Sequence, residues 1–127
     1  MKTAREIENN MPQFYGCEPE EKTRMRMFGK VLLTPGAQYV EEAAEANWLM
    51  VMIASHIPSI MAGERFGFAR LTVNDNGSAD FVLSDGNRGG NVYARQHIPA
   101  TDFPMKSIKF YVAFDGSDWT IMLPSEY

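Results

Sequence analysis

The sequence changes character near Gly63, and this change restricts the fold more than any other feature of the chain. Before Gly63 the patterns are helical or irregular, whereas the later residues form short strand patterns separated by turns. Helices followed by strands are typical of an α+β fold with the helices on one face of the sheet. We therefore predict a single α+β domain over residues 1–127, with N-terminal helices packed on one face of a C-terminal antiparallel β-meander of four to five strands.

The strand patterns of the second half are separated by strong turn signals. They cover residues 66–73, 80–84, 91–98, 108–114 and 119–123. Glycine follows asparagine or aspartate at positions 77, 86 and 116, and such pairs accept the positive φ angles of tight hairpin turns. Within the fourth pattern, Ile108, Phe110 and Val112 alternate with Lys109 and Tyr111. This alternation predicts one buried and one outward face.

Two helices are predicted before Gly63. The first begins at Thr34, a favoured N-cap residue, and Pro35 occupies the first helical position, where no hydrogen bond is lost. The second, or a continuation of the first, covers residues 46–57 and contains seven consecutive apolar residues, WLMVMIA. A helix that is apolar on every side is buried on several sides, so we expect it under the sheet, at an oligomer interface, or both. Pro58 bends or ends it.

The first residues of the chain are less regular. Residues 1–27 contain a short helical pattern and an acidic loop, and we predict a partly flexible N-terminal segment there. Residues 24–33 combine alternating basic and apolar residues with a short apolar run, which favours a strand or an extended entry segment.

The charge balance is mildly acidic, with 12 lysines and arginines against 16 aspartates and glutamates and a formal net charge of −4 at pH 7. Nucleic-acid-binding domains usually carry a basic excess, because the neutralisation of phosphates supplies most of their affinity. We therefore do not expect a nucleic-acid partner. The basic patch KTRMRMFGK at residues 22–30 is interpreted as a solvated strand edge, where charge discourages aggregation.

Cys17 is the only cysteine, so no disulfide can form within the chain, as is usual in a reducing cytoplasm. The N-terminal residues MKTAREIENN lack the apolar stretch of a signal peptide. The most apolar segment, residues 46–62, includes Asn47, His56 and Pro58. It falls short of the roughly 20 apolar residues that a membrane span needs. These features predict a cytoplasmic protein without a membrane partner.

Three stretches of the chain resemble a known family. They are LLTPGAQYVEEAAEANWLMVMIASH at residues 32–56, TDFPMKSIKFYV at 101–112 and MLPSEY at 122–127. With its T-D-F-P segment and its L-P-S-E-Y C-terminus, the chain is similar to a family of small uncharacterised bacterial and phage proteins, a domain of unknown function. The likeness covers roughly residues 28–127. It implies a compact α+β domain, no activity, and an origin on phages, plasmids or other mobile elements.

No group of residues has the spacing of a catalytic or metal site. His56, His97 and Cys17 are far apart, and no CxxC or HxxxH spacing occurs, so we expect neither a catalytic residue nor a metal or other cofactor. Cys17 is followed by Glu18, and a neighbouring carboxylate raises the pKa of a thiol and lowers its reactivity.

The candidate binding residues are of types that occur at interfaces. They are Tyr39, Glu41, Glu42, Glu45, Trp48 and Arg88. The three glutamates lie on the exposed side of the first predicted helix and would face a basic surface, so reversing all three charges is expected to abolish binding. Arg88 lies in a glycine-rich stretch at 86–90, read as a flexible hairpin loop or, alternatively, as an adaptable contact loop. The nine methionines either fill core gaps or line flexible binding surfaces.

We expect a non-enzymatic protein-interaction module of phage or mobile-element origin that binds a host protein partner stoichiometrically. Its expected role is to inhibit a host defence complex, as an anti-CRISPR protein does. The sequence is compatible with a homodimer and does not decide the oligomeric state. One alternative is a small-ligand-binding domain with a cleft between helix and sheet. That cleft would be lined by Tyr39, Trp48, His56, Tyr93 and Tyr111. Another alternative is a small hydrolase with His56 or His97 as its base.

Overall fold

The computed structural model describes all 127 residues. Its three α-helices are α1 (Ala4–Asn10), α2 (Pro35–Ala43) and α3 (Asn47–His56). Its seven strands are β1 (Thr23–Arg24), β2 (Val31–Leu33), β3 (Phe66–Val73), β4 (Ala79–Ser84), β5 (Val92–Ile98), β6 (Ser107–Phe114) and β7 (Trp119–Met122). Single 3₁₀ turns lie at Met11–Gln13, Pro19–Glu21, Ile57–Ser59 and Pro124–Glu126. The predicted α+β class is confirmed.

All seven strands form one sheet in the order β1-β2-β7-β6-β3-β4-β5, in which the β2–β7 pair is parallel and the other pairs are antiparallel. The predicted meander of four to five antiparallel strands is thus only roughly matched. β1 and β2 extend the sheet beyond β7, and β6 pairs with β3 instead of with β5, the strand before it. β2 lies within residues 24–33, for which a strand or an extended segment was predicted, but so short a strand does not show which neighbour it pairs with. Turn signals likewise do not specify which edge a later strand joins.

The strands of the second half lie close to their predicted positions. In β6, Ile108, Phe110 and Val112 are buried, whereas Lys109 is exposed and Tyr111 is half-buried, so the predicted alternation is confirmed. The glycines at positions 77, 86 and 116 have positive φ angles, as the turns that they form require.

The two predicted helices are present. At the start of α2, the Thr34 hydroxyl accepts a hydrogen bond from the Ala37 N–H at 3.3 Å, and Pro35 is the first helical residue. α3 lies under the sheet and is apolar around most of its circumference. Its residues Leu49, Met50, Ile53 and Ala54 are buried, and Trp48, Val51 and Met52 are half-buried against the same core. No helix is long and apolar enough to cross a membrane.

One hydrophobic core, a cluster of 27 buried residues, fills the space between the helices and one face of the sheet. Met25, Met50 and Met105 belong to this cluster, whereas Met27 and Met61 are exposed. Core filling therefore accounts for some of the methionines, and surface positions hold others.

The beginning of the N-terminal segment packs on the helical side of the molecule. Ile7 of α1 is fully buried, and the backbone N–H of Lys2 donates to the Ala43 carbonyl oxygen at 2.7 Å. The two contacts tie α1 to the core and to the end of α2. Flexibility of residues 1–27 stays a prediction.

The C-terminal turn is fixed to the start of α2 through Glu126, which is only 5% exposed. Its carboxylate accepts hydrogen bonds from the Thr34 hydroxyl at 2.6 Å and from the Gly36 N–H at 2.9 Å. It also accepts one from the Leu123 N–H at 3.0 Å. A Cβ at position 36 would lie 2.3 Å from a Glu126 oxygen, so glycine permits this close approach. Residues of the LTPG and LPSEY stretches, on which the family resemblance rests, therefore meet in one hydrogen-bonded cluster.

Candidate functional site

The helices leave one face of the sheet uncovered. In β3 the residues at positions 67, 69 and 71 are buried, whereas those at 66, 68, 70 and 72 are half-buried or exposed on the other side. β4 alternates in the same way, and so does most of β6. We call this outward side the open face. Because a sheet holds side chains at fixed strand spacing, the groups on this face have defined neighbours.

Three cations form a row across the open face. Lys109 of β6 lies directly opposite Arg70 of β3, which lies opposite Val82 of β4, and Val82 lies opposite Arg95 of β5. We call Lys109, Arg70 and Arg95 the cation row. All three are exposed, and none forms an ion pair. Like charges directly opposite on neighbouring strands destabilise a sheet, so this row lowers the stability of the free chain.

Four aromatic residues lie beside the cation row, and we call Phe66, Phe68, Tyr111 and Tyr127 the aromatic cluster. Tyr111 is directly opposite Phe68, and each lies two residues along its strand from the cation row. The ring centroid of Tyr111 lies 5.0 Å from that of Phe66, 5.9 Å from that of Phe68 and 5.5 Å from that of Tyr127. The Tyr111–Tyr127 planes meet at 90° and the Phe66–Tyr127 planes at 76°, which is edge-to-face packing. Tyr127, the C-terminal residue, is 76% exposed.

The β4–β5 loop borders the aromatic cluster. Gly86 approaches Phe68 so closely that a Cβ on Gly86 would lie 3.3 Å from the Phe68 Cβ. The Asp85 carboxylate accepts hydrogen bonds from the N–H groups of Asn91 and Asn87, and these bonds lower the pKa of Asp85. Arg88 is exposed in this loop. The loop therefore has a defined shape and presents one further cation beside the open face.

The three predicted glutamates lie in the helical layer, in α2 and the turn that follows it. Glu41 accepts a hydrogen bond from the Asn47 side chain at 2.9 Å, and Glu45 forms an ion pair with the N-terminal amine. Glu42 is exposed. Two of these three carboxylates thus have partners within the chain, and the group lies away from the open face.

Tyr39 and Trp48 occupy separate places in the helical layer. Tyr39 stacks on Phe14 with 5.3 Å between ring centroids, and its hydroxyl accepts a hydrogen bond from Asn10 at 2.9 Å. Trp48 meets Phe103 edge-on at 6.2 Å and lines a hollow of about 660 Å³ beside residues 96–102. Tyr111 lies on the open face. The five residues predicted to line one cleft are therefore not brought together.

A cleft of about 690 Å³ does lie between helix and sheet, at the end of α3. It is lined by residues 28–31, 57–58 and 60–65 together with Ala54, Phe114 and Trp119. We call it the end cleft. It exists because α3 stops at His56, where Pro58 follows, while β6 and β7 continue past that point.

Each histidine has a polar partner in the sheet. A ring nitrogen of His56 lies 2.7 Å from the Gln96 side-chain oxygen, and the His56 ring stacks on Phe81 with 5.7 Å between centroids. His97 Nδ1 lies 2.8 Å from an Asp80 oxygen, and this hydrogen bond lowers the pKa of the Asp80 carboxyl. His56 is thus partnered by an amide of β5, and His97 by a carboxylate of β4.

Cys17 is a half-buried thiol among acidic groups. Burial raises the pKa of Cys17, and the nearby carboxylates of Glu126 and Glu21 raise it further. The predicted direction is confirmed, although burial contributes more than the adjacent Glu18. No three His, Cys, Asp or Glu side chains are grouped as metal ligands in the structure.

The cation row was not predicted from the sequence as a site. One signal was present, because alternation in β6 placed Lys109 on the side opposite Ile108 and Phe110. The register that sets Arg70 against Lys109 depends on the β3–β6 pairing, which the predicted meander lacked.

A protein-family model matches residues 5–127 and is described as a family of unknown function (DUF6876). Neither the comparison with curated proteins nor the comparison with solved structures gave a match.

Proposed function

Because the chain belongs to the family of unknown function DUF6876, we propose its role from its own surface: it is a non-enzymatic interaction module that binds an acidic protein partner through the open face. The observation that carries this proposal is the cation row beside the aromatic cluster. An interface with a desolvated aromatic centre and flanking arginines has the composition of binding hot spots.

The cation row supports the binding of an acidic surface. Lys109 and Arg70 repel each other in the free chain, and an anionic partner that covers them replaces this repulsion with attraction. The chain as a whole carries a net charge of −4, so the row is not the result of a generally basic composition. The glutamates of α2 lie in the other layer, and therefore do not weaken the field at the open face by direct contact.

The aromatic cluster favours a protein over a nucleic acid. Single-stranded nucleic acids bind by stacking bases on exposed aromatic faces. Here the rings of Tyr111, Phe66 and Tyr127 pack against one another edge-to-face, so each shields part of another's face. Such a cluster offers a continuous apolar patch, which suits the centre of a protein interface.

The biological setting belongs to the same proposal. The resemblance to proteins of phages and mobile elements supports a cytoplasmic inhibitor that blocks a host defence complex stoichiometrically, as anti-CRISPR proteins do. β5 is an edge strand with one side unpaired, and pairing of two copies along it would give the homodimer left open by the sequence.

The experiment compares three forms of the tagged chain in nuclease-treated host lysate, with bound proteins quantified by mass spectrometry. The first is the natural sequence. The second carries Lys109→Glu, Arg70→Glu and Arg95→Glu, and the third, a matched control with three reversed charges, carries Glu41→Lys, Glu42→Lys and Glu45→Lys. We expect one stoichiometric protein with the first and third forms and its loss with the second.

Other outcomes identify other functions. Loss of the partner only with the glutamate reversal would assign binding to α2 and a basic partner, as the sequence alone suggested. A parallel pull-down without nuclease serves as a further control. A protein that is recovered only there would indicate that a nucleic acid mediates the contact. Absence of any stoichiometric protein in all three forms would contradict the interaction-module proposal.

A further inference from the structure

The end cleft has an apolar interior. Val31 and Ile57 are buried in its floor, and Phe114 and Trp119 form one wall with 5.1 Å between their ring centroids. Its volume of about 690 Å³ falls within the range of about 300–1,000 Å³ that is usual for small-molecule sites. Met61, which is 49% exposed, lies at its edge and can adapt to an occupant.

Two cation-bearing residues flank the aromatic wall through their backbones. The Lys30 carbonyl oxygen accepts the Trp119 N–H at 2.8 Å, and the Arg65 carbonyl oxygen accepts the Phe114 N–H at 2.8 Å. Each cation-bearing residue is therefore anchored by its backbone to one aromatic residue of the wall. The Arg65 guanidinium carbon lies 5.8 Å from the Phe114 ring centroid. Neither Lys30 nor Arg65 forms an ion pair.

The charges available at the end cleft favour an anion. Its lining contains two cations, Lys30 and Arg65, and one carboxylate, Glu64. Asp118, the other acid near Lys30, is already paired with Arg24 at 2.8 Å. An arginine and a lysine beside an apolar wall can hold a carboxylate with charge-assisted hydrogen bonds while the wall takes an apolar body.

We infer that the end cleft binds a small apolar molecule that ends in a carboxylate. The apolar body lies against Phe114 and Trp119, and the carboxylate lies at the Arg65 guanidinium, with Lys30 as the second cation of the lining. This site is separate from the open face, so the inference stands independently of the proposed protein partner.

The test uses Trp119 as a reporter. The chain has two tryptophans, and Trp48→Phe leaves Trp119 as the only one. Its fluorescence is titrated with decanoate, decanol and decylamine, which share one apolar chain and differ in the head group. We expect decanoate to give a saturable change and to bind about tenfold more tightly than decanol, with decylamine weakest.

A pair of double variants isolates the charges. Lys30→Gln with Arg65→Gln should weaken decanoate binding about tenfold and leave decanol binding unchanged. Arg26→Gln with Lys106→Gln, which removes two exposed cations outside the cleft, should bind as the natural sequence does. If Trp48→Phe disturbs the fold, as judged by circular dichroism, the same ligands are compared by thermal shift on the chain with both tryptophans.

Three results with the probes would overturn the inference, and a fourth comes from dilution without ligand. They are equal affinity for decanoate and decanol, unchanged decanoate affinity in the Lys30 and Arg65 double variant, and no saturable signal with any of the three probes. A Trp119 signal that changes on dilution without ligand would assign the cleft to a second copy of the chain and would also overturn it.

Discussion

The covered face and the open face consist of alternate residues of the same strands, and they differ in what their side chains do. In β6, Phe110 is 1% exposed and lies in the core, whereas Lys109 and Tyr111 point to the other side. Every buried apolar contact on the covered face contributes to folding. The open face instead holds two cations directly opposite each other and, beside them, the aromatic cluster, whose strand residues are only half-buried.

This difference indicates where function is to be sought. A sequence that is selected only for folding would place neutral or oppositely charged residues at a cross-strand pair. Lys109 and Arg70 break that local rule, and neither forms an ion pair with a carboxylate. The predictions that follow test whether the covered face carries the stability and the open face does not.

The largest expected effect comes from truncating the same residue type on each face. Phe110→Ala should lower the free energy of unfolding by about 3–5 kcal/mol, because it leaves a cavity in the core. Phe68→Ala on the half-buried open face should lower it by about 1 kcal/mol. Urea unfolding at one pH measures both. Equal losses of unfolding free energy would mean that the open face packs as a second core and contributes as much to stability as the covered face does.

The Glu126 hydrogen-bond cluster gives the next effect. Glu126→Gln replaces one accepting oxygen by a donating amide, so at least one of the Thr34, Gly36 and Leu123 donors loses its partner. We expect a loss of about 2 kcal/mol in the free energy of unfolding. Glu42→Gln, at an exposed position of α2, is the control and should change it by less than about 0.5 kcal/mol. A loss as small as that of the control would mean that this cluster adds little to stability.

Most of the covered face could be predicted from the sequence, because its signals are local. The start of α2 at Thr34 depends on the next few residues, and the strand alternation of β6 depends on neighbours two apart. The parallel pairing of β2 with β7 and the bond between Thr34 and Glu126, 92 residues apart in sequence, have no local signal. Only the packed chain brings such residues together.

The open face was less predictable for a related reason. Alternation assigned Lys109 and Tyr111 to the outward side, but composition averaged the charges of the whole surface into a small negative total. The separation of glutamates in the α2 region from cations on the sheet becomes visible only when the strand order is known. Net charge alone could not identify a binding face.

Acid should lower the stability of the fold by protonating two carboxyls in the turns beside the sheet. Hydrogen bonds from backbone N–H groups lower the pKa of Asp85 and Asp115. A carboxyl with a folded pKa below its unfolded value of about 3.9 adds stability above that value, which is lost as pH falls through the folded pKa. We expect the urea midpoint to fall as the pH drops below about 4. The variant with Asp85→Asn and Asp115→Asn should show a shallower fall over the same range.

Parallel pH profiles in the two forms would mean that these two carboxyls do not govern acid stability. Glu42→Gln serves again as the control, because it removes a carboxyl at an exposed position of α2. Its profile should follow that of the natural sequence.

The smallest expected change is also the most direct test of the cation row. Arg70→Thr removes the charge opposite Lys109 and puts in its place a residue that suits a strand. We therefore expect the free energy of unfolding to rise by about 0.3 kcal/mol. Arg24→Thr is the matched control. Arg24 is also an exposed cation on a strand, but its side chain is paired with Asp118 at 2.8 Å. That substitution should leave stability unchanged or lower it slightly. Urea unfolding at low salt, where the repulsion is least screened, measures both signs. If Arg70→Thr lowers stability as much as Arg24→Thr does, then Arg70 supports the fold, and the argument that its position is kept for a partner is wrong.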